Sequence, residues 1–376
     1  MPTAHANKWF VEYESLDSDQ KKLVNGLVFE NGKTVGLISG PAGSGKTIIL
    51  VNALSKSNSN NIAFVSYTRS LLNLADQGLP SNVRAMTYFK ALKEYANYDL
   101  VVIDEVQDVP AEALNIIISR SKKTLLAGDN FQKIFENGAD SATLNSVSKG
   151  NVHKLTRTYR LTPRAFAAAS KIYPGALEGV SPSGKAVVPI ELYNTDLNDE
   201  GDFLSYDIAK RESEKRRTSA ILLPKKNSIV EFANKILAKQ GKPRWIVVKN
   251  SYSKEDFGSL NRHLRNNQVK LHVVQNSYGD LNEAFENNEV VIQTYHSAKG
   301  LDYQVVCLPN LSVEEATSTS ELQRSLFYVA ITRASGALII TQNKNTSSSY
   351  LKTIEEFCTK MDASRIVKED DNEDEF

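Results

Sequence analysis

Lys46 and Thr47 close the string Gly40-Pro41-Ala42-Gly43-Ser44-Gly45-Lys46-Thr47, which follows the apolar stretch Val35-Gly36-Leu37-Ile38. The pattern G-x-x-x-x-G-K-[ST] between a strand and a helix is suited to phosphate binding. The glycines Gly40, Gly43 and Gly45 let backbone N–H groups curl around phosphate oxygens, and the helix N-terminus adds a positive dipole end. Lys46 would reach the β- and γ-phosphates, and the Thr47 hydroxyl would ligate Mg²⁺. A second string, Leu100-Val101-Val102-Ile103-Asp104-Glu105, begins its acidic pair 58 residues after Lys46. A buried strand would deliver Asp104 to the Mg²⁺ shell, and Glu105 would stand where a carboxylate activates or orients water. Together the two strings imply hydrolysis of a nucleoside triphosphate.

The elements that must position these residues alternate in type. Apolar runs at 35–38, 62–65, 100–103 and 124–127 read as strands, with helical patterns at 47–54 and 111–119 between them. That grammar predicts a parallel sheet with helices on both faces. The second half repeats it, with strands expected at 220–223, 245–248, 269–274, 290–293, 305–308 and 338–341. Helices are expected there at 163–172, 228–239 and 321–334. A turn-rich stretch from Pro174 to Pro189 interrupts.

A chain of 376 residues with 41% hydrophobic and 24% charged residues has ample length for buried cores. No apolar run approaches the ~18 residues of a membrane span, and Met1-Pro2-Thr3-Ala4-His5 lacks the character of a signal peptide. Two cysteines far apart, Cys307 and Cys358, indicate neither a disulfide framework nor a metal cluster. A cytoplasmic protein is expected. Net charge is zero over residues 1–150, +6 over 151–345 and −5 over 346–376. The run Lys210, Arg211, Lys215, Arg216, Arg217, Lys225 and Lys226 reads either as a solvated face or as a nucleic-acid contact.

Asp104-Glu105-Val106-Gln107-Asp108 resembles motif II of the UvrD-like branch of superfamily 1 helicases, and further motifs follow in order. Gln20 lies upstream of the phosphate loop like the Q motif. Phe64-Val65-Ser66-Tyr67-Thr68-Arg69 is similar to motif Ia, and Thr87-Tyr88-Phe89 to motif Ib. Gly128-Asp129-Asn130-Phe131-Gln132 resembles motif III, and Arg157-Thr158-Tyr159-Arg160 resembles motif IV. Gln293 to Asp302 (Q-T-Y-H-S-A-K-G-L-D) is similar to motif V, and Leu326 to Ala334 (L-F-Y-V-A-I-T-R-A) to motif VI.

The resemblance implies an α/β fold of two RecA-like P-loop domains with parallel sheets and an ATP site in the interdomain cleft. Its domains would be residues 1–150, residues 151–345 carrying the arginine fingers, and 346–376 as a C-terminal helix and acidic disordered tail. It further implies Gln20 and Tyr159 on adenine, Gln132 as γ-phosphate sensor, and Arg160 and Arg333 on the γ-phosphate. Gly300 and Asp302 would complete the nucleotide site, with ATP and Mg²⁺ as cofactors and Thr47 and Asp104 on the metal. Single-stranded DNA would be held by Tyr67, Thr68, Thr87, Tyr88, Phe135, Thr294 and His296, through backbone contacts and stacking that tolerate any sequence. His296 would couple nucleotide state to the strand. The implied activity is ATP-dependent 3′→5′ movement on single-stranded DNA in a bacterial or phage-infected cell, with forked or tailed duplex as a substrate.

Three departures bear on that expectation. Only 14 residues separate Phe89 from Asp104, and 130 lie between Arg160 and Val291, so the large accessory insertions of the family have little room. Phe135-Glu136-Asn137-Gly138 stands where a tryptophan-bearing string is common. Ile48 and Asp302 replace a basic residue and a longer acid. A translocase without unwinding and an ATP-gated nucleic-acid-binding adaptor remain alternatives. Glu369 to Phe376, with six acids in eight residues, reads as a solubilising end or as a hook for a protein partner.

Overall fold

Runs such as Ile62-Ala63-Phe64-Val65-Ser66 are apolar throughout because both of their faces are covered, the condition of a parallel sheet. The computed structural model describes residues 11–29, 34–69, 71–72, 78–251, 254–275, 278–317, 319–346 and 348–362. The chain forms two compact units, Met1–Arg160 with Ala176–Ser183, and Leu161–Gly175 with Gly184–Phe376.

The first unit has six strands: β1 (Thr34–Ser39), β2 (Ile62–Ser66), β3 (Val83–Thr87), β4 (Tyr98–Ile103), β5 (Ser121–Gly128) and β6 (Val152–Lys154). They lie in the order β3-β2-β4-β5-β1-β6, all parallel. Ser39 at the end of β1 pairs with Gly128 at the end of β5, and Ile103 of β4 pairs with Leu126. The residues after β1, β4 and β5 therefore emerge along one carboxyl edge. One face of the sheet is covered by Val24, Leu27, Ile49, Leu50 and Leu54 of the helices Ser18–Phe29 and Lys46–Lys56. The other face is covered by Ala113, Leu114 and Ile117 of the helix Ala111–Ser119, together with Tyr88 and Ala91. β6 joins this sheet beyond the 150/151 boundary drawn from the sequence.

The second unit has seven strands: β7 (Ile190–Thr195), β8 (Ser219–Leu223), β9 (Leu271–Val273), β10 (Val290–Thr294), β11 (Tyr303–Leu308), β12 (Ala334–Asn343) and β13 (Cys358–Met361). Their order is β13-β7-β12-β11-β8-β10-β9, again parallel throughout. The helices Asn198–Glu214, Lys226–Lys239 and Phe257–Asn266 bury Leu204, Ala209, Phe232, Ile236, Leu260 and Leu264 against it. Residues 346–362 are no separate region in this unit, since β13 pairs with β7.

The strand expected at 245–248 does not form. Trp245 is drawn into the core, and its backbone is held on both sides by the Asn234 amide, which accepts from Trp245 N at 2.7 Å and donates to Trp245 O at 3.2 Å. Ile246, Val247 and Val248 then lie exposed in an irregular segment outside the sheet. Among the described residues, no helix is long and apolar enough to cross a membrane. The acidic segment Glu369–Phe376 lies outside the described residues.

Candidate nucleotide site

The loop after β1 turns through two left-handed glycines, Gly43 at φ 71° and Gly45 at φ 87°, the second capping the helix Lys46–Lys56. Only glycine takes these conformations freely. Space demands it as well: a Cβ on Gly43 would stand 2.2 Å from Arg160 Cβ, and one on Gly45 would stand 2.7 Å from Gln20 Nε2. Gln20, Arg160 and the loop are thus brought together. Thr158 Oγ1 donates to Ala42 O at 2.9 Å, and Tyr159 N donates to Gly43 O at 2.8 Å. Asp17 caps the turn below, accepting from Asp19 N and Gln20 N, and it also accepts the Tyr159 hydroxyl. The half-exposed Tyr159 ring, with the Arg157 guanidinium 5.8 Å from its centroid, stands on this side of the loop together with Gln20.

Lys46 is buried and donates to Gly40 O at 2.9 Å and Pro41 O at 3.1 Å, so its ammonium lies inside the curl of the loop. The Thr47 hydroxyl donates to Asp104 Oδ2 at 2.6 Å. An alcohol and a carboxylate this close are an oxygen pair suited to a hard, incompletely dehydrated cation such as Mg²⁺, with phosphate and water supplying its other ligands. Thr47 and Asp104 fit that ion, and Gly43, Gly45 and Lys46 fit the phosphates. Among the described residues, no group of three or more His, Cys, Asp or Glu forms a metal cluster.

Asp104 is fully buried at the end of β4. Burial, reinforced by the adjacent Glu105 charge and opposed by Thr47 and Lys46, pushes its carboxyl up to about 6. The unfolded chain holds that proton only below about pH 4. Between these values the folded state binds the extra proton, so stability falls as pH rises and the full penalty is present above pH 6. Asp104→Asn is therefore expected to stabilise the ligand-free chain at pH 7, by an amount of the order of 2 kcal/mol, while removing activity. Thermal unfolding with a chelator present, at pH 7 and again at pH 4, reads this. The gain should disappear at pH 4, and an equal gain at both values would contradict it.

Glu105 holds a left-handed backbone at φ 53°, uncommon for a residue with a Cβ. Its carboxylate begins a buried relay. Gln107 Nε2 donates to Glu105 Oε2 at 2.6 Å, Asp129 N donates to Gln107 Oε1 at 3.1 Å, and Gln132 Nε2 donates to Asp129 Oδ2 at 2.7 Å. Burial raises the Asp129 carboxyl, against the pull of the Lys46 charge. Gly128 and Gly138 leave room for Gln107, since a Cβ there would meet its Oε1 at 2.5 Å and its carbonyl at 2.1 Å. Gln107 and Asp129 are site residues that the sequence reading passed over, although both stand inside the motif strings that it used.

Tyr67, Tyr88 and Phe135 also meet on this unit. Tyr67 stacks on Phe135 with centroids 4.3 Å apart and on Tyr88 at 5.2 Å. Tyr88 is only 5% exposed and backs the stack from the core, whereas its neighbour Phe89 is 60% exposed. Burial, with Tyr88 and the Asp108 carboxylate, pushes the Tyr67 phenol up to about 12, so the ring stays neutral. Thr68 and Thr87 accept backbone N–H groups of Leu71 and Lys90 at 3.4 Å and act as local caps.

In the second unit, Thr294 ends β10 within a buried network. Its hydroxyl accepts from Gln275 Nε2 at 3.1 Å and meets Ser297 Oγ at 3.2 Å. His296 follows, its imidazole pushed down by burial and by the Lys299 charge. Gly300 is left-handed at φ 81°, and Asp302 precedes β11. Arg333 is fully buried between the helix Ser320–Ile331 and β12. It donates to Val329 O at 3.0 Å, Leu301 O at 3.0 Å and Thr332 Oγ1 at 3.1 Å, which ties the motif V loop to the motif VI helix. In the basic run, Lys210 pairs with Glu214, and Lys215 and Arg217 both pair with Glu212.

Two family models match in chain order. The viral superfamily 1 RNA helicase core domain covers residues 36–193, and the UvrD-like helicase C-terminal domain covers 248–345. The chain is 23% identical over 301 residues to F-box DNA helicase 1 of Gallus gallus, an alignment covering 66% of this chain and 29% of that protein. Among solved structures it is similar to the PRRSV helicase (TM-score 0.45, 14% identity, 86% of this chain and 55% of that one). It is also similar to an arterivirus nonstructural protein 10 helicase in complex with DNA (TM-score 0.46, 14% identity, 89% and 65%). The chain thus spans less than a third of the curated relative and under two thirds of these structures. Helicase family models, one of superfamily 1 and one UvrD-like, match both halves of the chain, and the motif strings from Gly40 to Arg160 and from Gln293 to Ala334 lie within them.

Proposed function

We propose that the chain is a compact, UvrD-like motor that hydrolyses ATP with Mg²⁺ when single-stranded DNA is bound, moves 3′→5′ along that strand, and opens duplex ahead of it. The observation that carries this reading is the continuous set Thr47–Asp104 and Glu105–Gln107–Asp129–Gln132 around the phosphate loop. A nucleotide store needs no such relay. A hydrolase uses it to tell the water-activating carboxylate whether a γ-phosphate is present. In this assignment Lys46 and the loop amides hold phosphates, Thr47 and Asp104 hold Mg²⁺, and Gln20 and Tyr159 hold adenine. Glu105 orients water, while Gln132, Arg160 and Arg333 meet charge on the transferred phosphoryl. Gly300 and Asp302 complete the nucleotide site. Tyr67 and Phe135 stack on bases, with Tyr88 behind them, and Thr68, Thr87, Thr294 and His296 line the strand's path.

Polarity rests on the form T-x-H-x-x-K-G-L from Thr294 to Leu301. Duplexes carrying a single-stranded 3′ or 5′ tail test it: opening of the 3′-tailed substrate alone is expected, and opening of the 5′-tailed one overturns the assignment. The 14-residue spacing between Phe89 and Asp104 favours a second reading, translocation without unwinding. Displacement of a protein roadblock from a single strand, with both tailed duplexes left intact, would select it. ATP binding without multiple turnover would instead select the adaptor. Base–aromatic stacking is worth about 1–3 kcal/mol per base, so Tyr67→Ala should weaken binding to a single-stranded oligonucleotide by roughly tenfold or more. Fluorescence anisotropy reads the change, and unaltered affinity would remove Tyr67 from the interface.

A further inference from the structure

Parallel sheets present their ligands at the carboxyl ends of their strands, and in the second unit that edge continues past the motif V loop. Ile292 of β10 pairs with Val273 of β9, so Thr294 and Gln275, each two residues further on, leave the sheet side by side. Gln275 is buried and holds the loop directly. Its Nε2 donates to Thr294 Oγ1 at 3.1 Å, and its Oε1 accepts from Ser297 Oγ at 2.6 Å. Its backbone exchanges two hydrogen bonds with Tyr278, at 2.9 and 2.8 Å. The Tyr278 hydroxyl in turn accepts from Asn250 Nδ2 at 2.6 Å. An unbroken series of hydrogen bonds and chain thus leads from the Thr294 hydroxyl to Asn250.

Asn250 belongs to a closed turn. Asp256 N donates to Val248 O at 2.8 Å, Asn250 N donates to Lys254 O at 2.7 Å, and Lys249 faces Glu255 in an antiparallel bridge. Upstream, Asn234 fixes Trp245 in the core, and the His263 ring meets Pro243 O at 2.8 Å. Between these anchors Ile246, Val247 and Val248 are 83%, 47% and 44% exposed. Consecutive exposed aliphatic side chains mark a contact surface. Lys242, Arg244, Lys249 and Lys254 are exposed beside them, and none makes an ion pair among the described residues. Four such cations call for a polyanion, and the aliphatic run among them calls for one that also carries apolar faces. Single-stranded nucleic acid has both, in its phosphates and its unstacked bases. A duplex turns its bases inward. An acidic peptide supplies the charge, but the surface adjoins the loop whose Thr294 and His296 are read as lining a strand.

We propose that Ile246–Val248, with Lys242, Arg244, Lys249 and Lys254, form a further contact for single-stranded nucleic acid. On the reading of Thr294 and His296 as strand-lining residues, it continues the path of the strand held there. Phosphates meet the four cations, and unstacked bases lie on the aliphatic side chains.

The salt dependence of binding tests this, with the full chain and a labelled oligothymidylate of about 20 nucleotides, longer than one compact single-strand site. Each phosphate contact on a single strand adds about 0.7 to the slope of log affinity against log salt. Neutralising the four cations (Lys242→Gln, Arg244→Gln, Lys249→Gln, Lys254→Gln) should therefore lower the slope by about 2.8. A control removes the same charge from the same unit at lysines paired with Glu356, Asp207, Asp196 and Glu355 (Lys171→Gln, Lys239→Gln, Lys344→Gln, Lys360→Gln), and should leave the slope unchanged. Ile246→Ser with Val247→Ser should weaken binding about tenfold at an unchanged slope. All these side chains are exposed, and an unchanged thermal midpoint checks that folding is untouched. A slope in the four-cation variant equal to that of the unmodified chain overturns the proposal. So does an equal loss in the control, which would make the effect one of net charge alone. Self-association that the Ile246 and Val247 substitutions abolish, with oligonucleotide affinity unaltered, assigns the surface to a second copy and also overturns it. If the unmodified chain binds no oligonucleotide, the reading of Thr294 and His296 falls and this contact with it. If it binds and the four-cation variant matches it, only this contact falls.

Discussion

Glu105→Gln should lower the ATP turnover number by about 10²–10⁴, the usual contribution of a positioned general base, while leaving nucleotide affinity unchanged. The side chain keeps its shape, and the amide can still meet Gln107, which now donates to Glu105 Oε2 at 2.6 Å. Only the capacity to take or orient a proton is lost. The left-handed backbone at Glu105, strained for a residue with a Cβ, aims that side chain from the end of β4. Steady-state turnover with single-stranded DNA, beside equilibrium binding of a fluorescent nucleotide, separates the two effects. Turnover within a few-fold of the unmodified chain would exclude Glu105 as the base and pass the role to Asp129, the other acid in the relay.

Arg333→Ala carries the second large expectation, with two separable parts. Removing an arginine that meets charge on the transferred phosphoryl costs about 10³–10⁵ in turnover. The same substitution also strips hydrogen bonds from Val329 O, Leu301 O and the Thr332 hydroxyl inside a fully buried pocket. Each group left unsatisfied costs about 1–3 kcal/mol, so the thermal midpoint should fall as well. Turnover per folded molecule, measured well below that midpoint, isolates the chemical part. If it equals that of the unmodified chain, Arg333 is only the tie between the motif V loop and the motif VI helix. Arg333→Lys keeps the charge but not the planar fork, and should restore part of the stability and little of the turnover.

The central strands were legible because they are buried on both faces and their apolar runs are unbroken. β2, β4, β8 and β10 are examples, each read to within a few residues. Four others were not. β3 (V-R-A-M-T) and β7 (I-E-L-Y-N-T) alternate polar and apolar residues, while β6 and β13 have only three and four residues. Such segments become strands through the neighbour they pair with. Trp245–Val248 failed in the opposite direction, having the composition of a strand but an anchor, Asn234, that holds it off the sheet. At the candidate nucleotide site, Lys46, Thr47, Asp104 and Glu105 could be singled out from spacing, and the structure sets Lys46 inside the loop and Thr47 against Asp104. Gln107 and Asp129 could not, because a relay depends on which side chains face each other across β4 and β5. Their only trace in the sequence is a buried polar residue beside an acid, a weak signal unless the partner is known.

The most direct test of an ATP-driven motor is the steady-state ATPase rate with and without single-stranded DNA, with Lys46→Ala as the blank. The Lys46 ammonium lies inside the curl of the phosphate loop, hydrogen-bonded to Gly40 O and Pro41 O. Its removal should abolish turnover without unfolding a helix that begins at that residue with good alanine propensity. Strong stimulation by DNA that vanishes in Lys46→Ala is the expected result. A slow rate indifferent to DNA, or one that survives the substitution, would contradict nucleic-acid-coupled hydrolysis at this site.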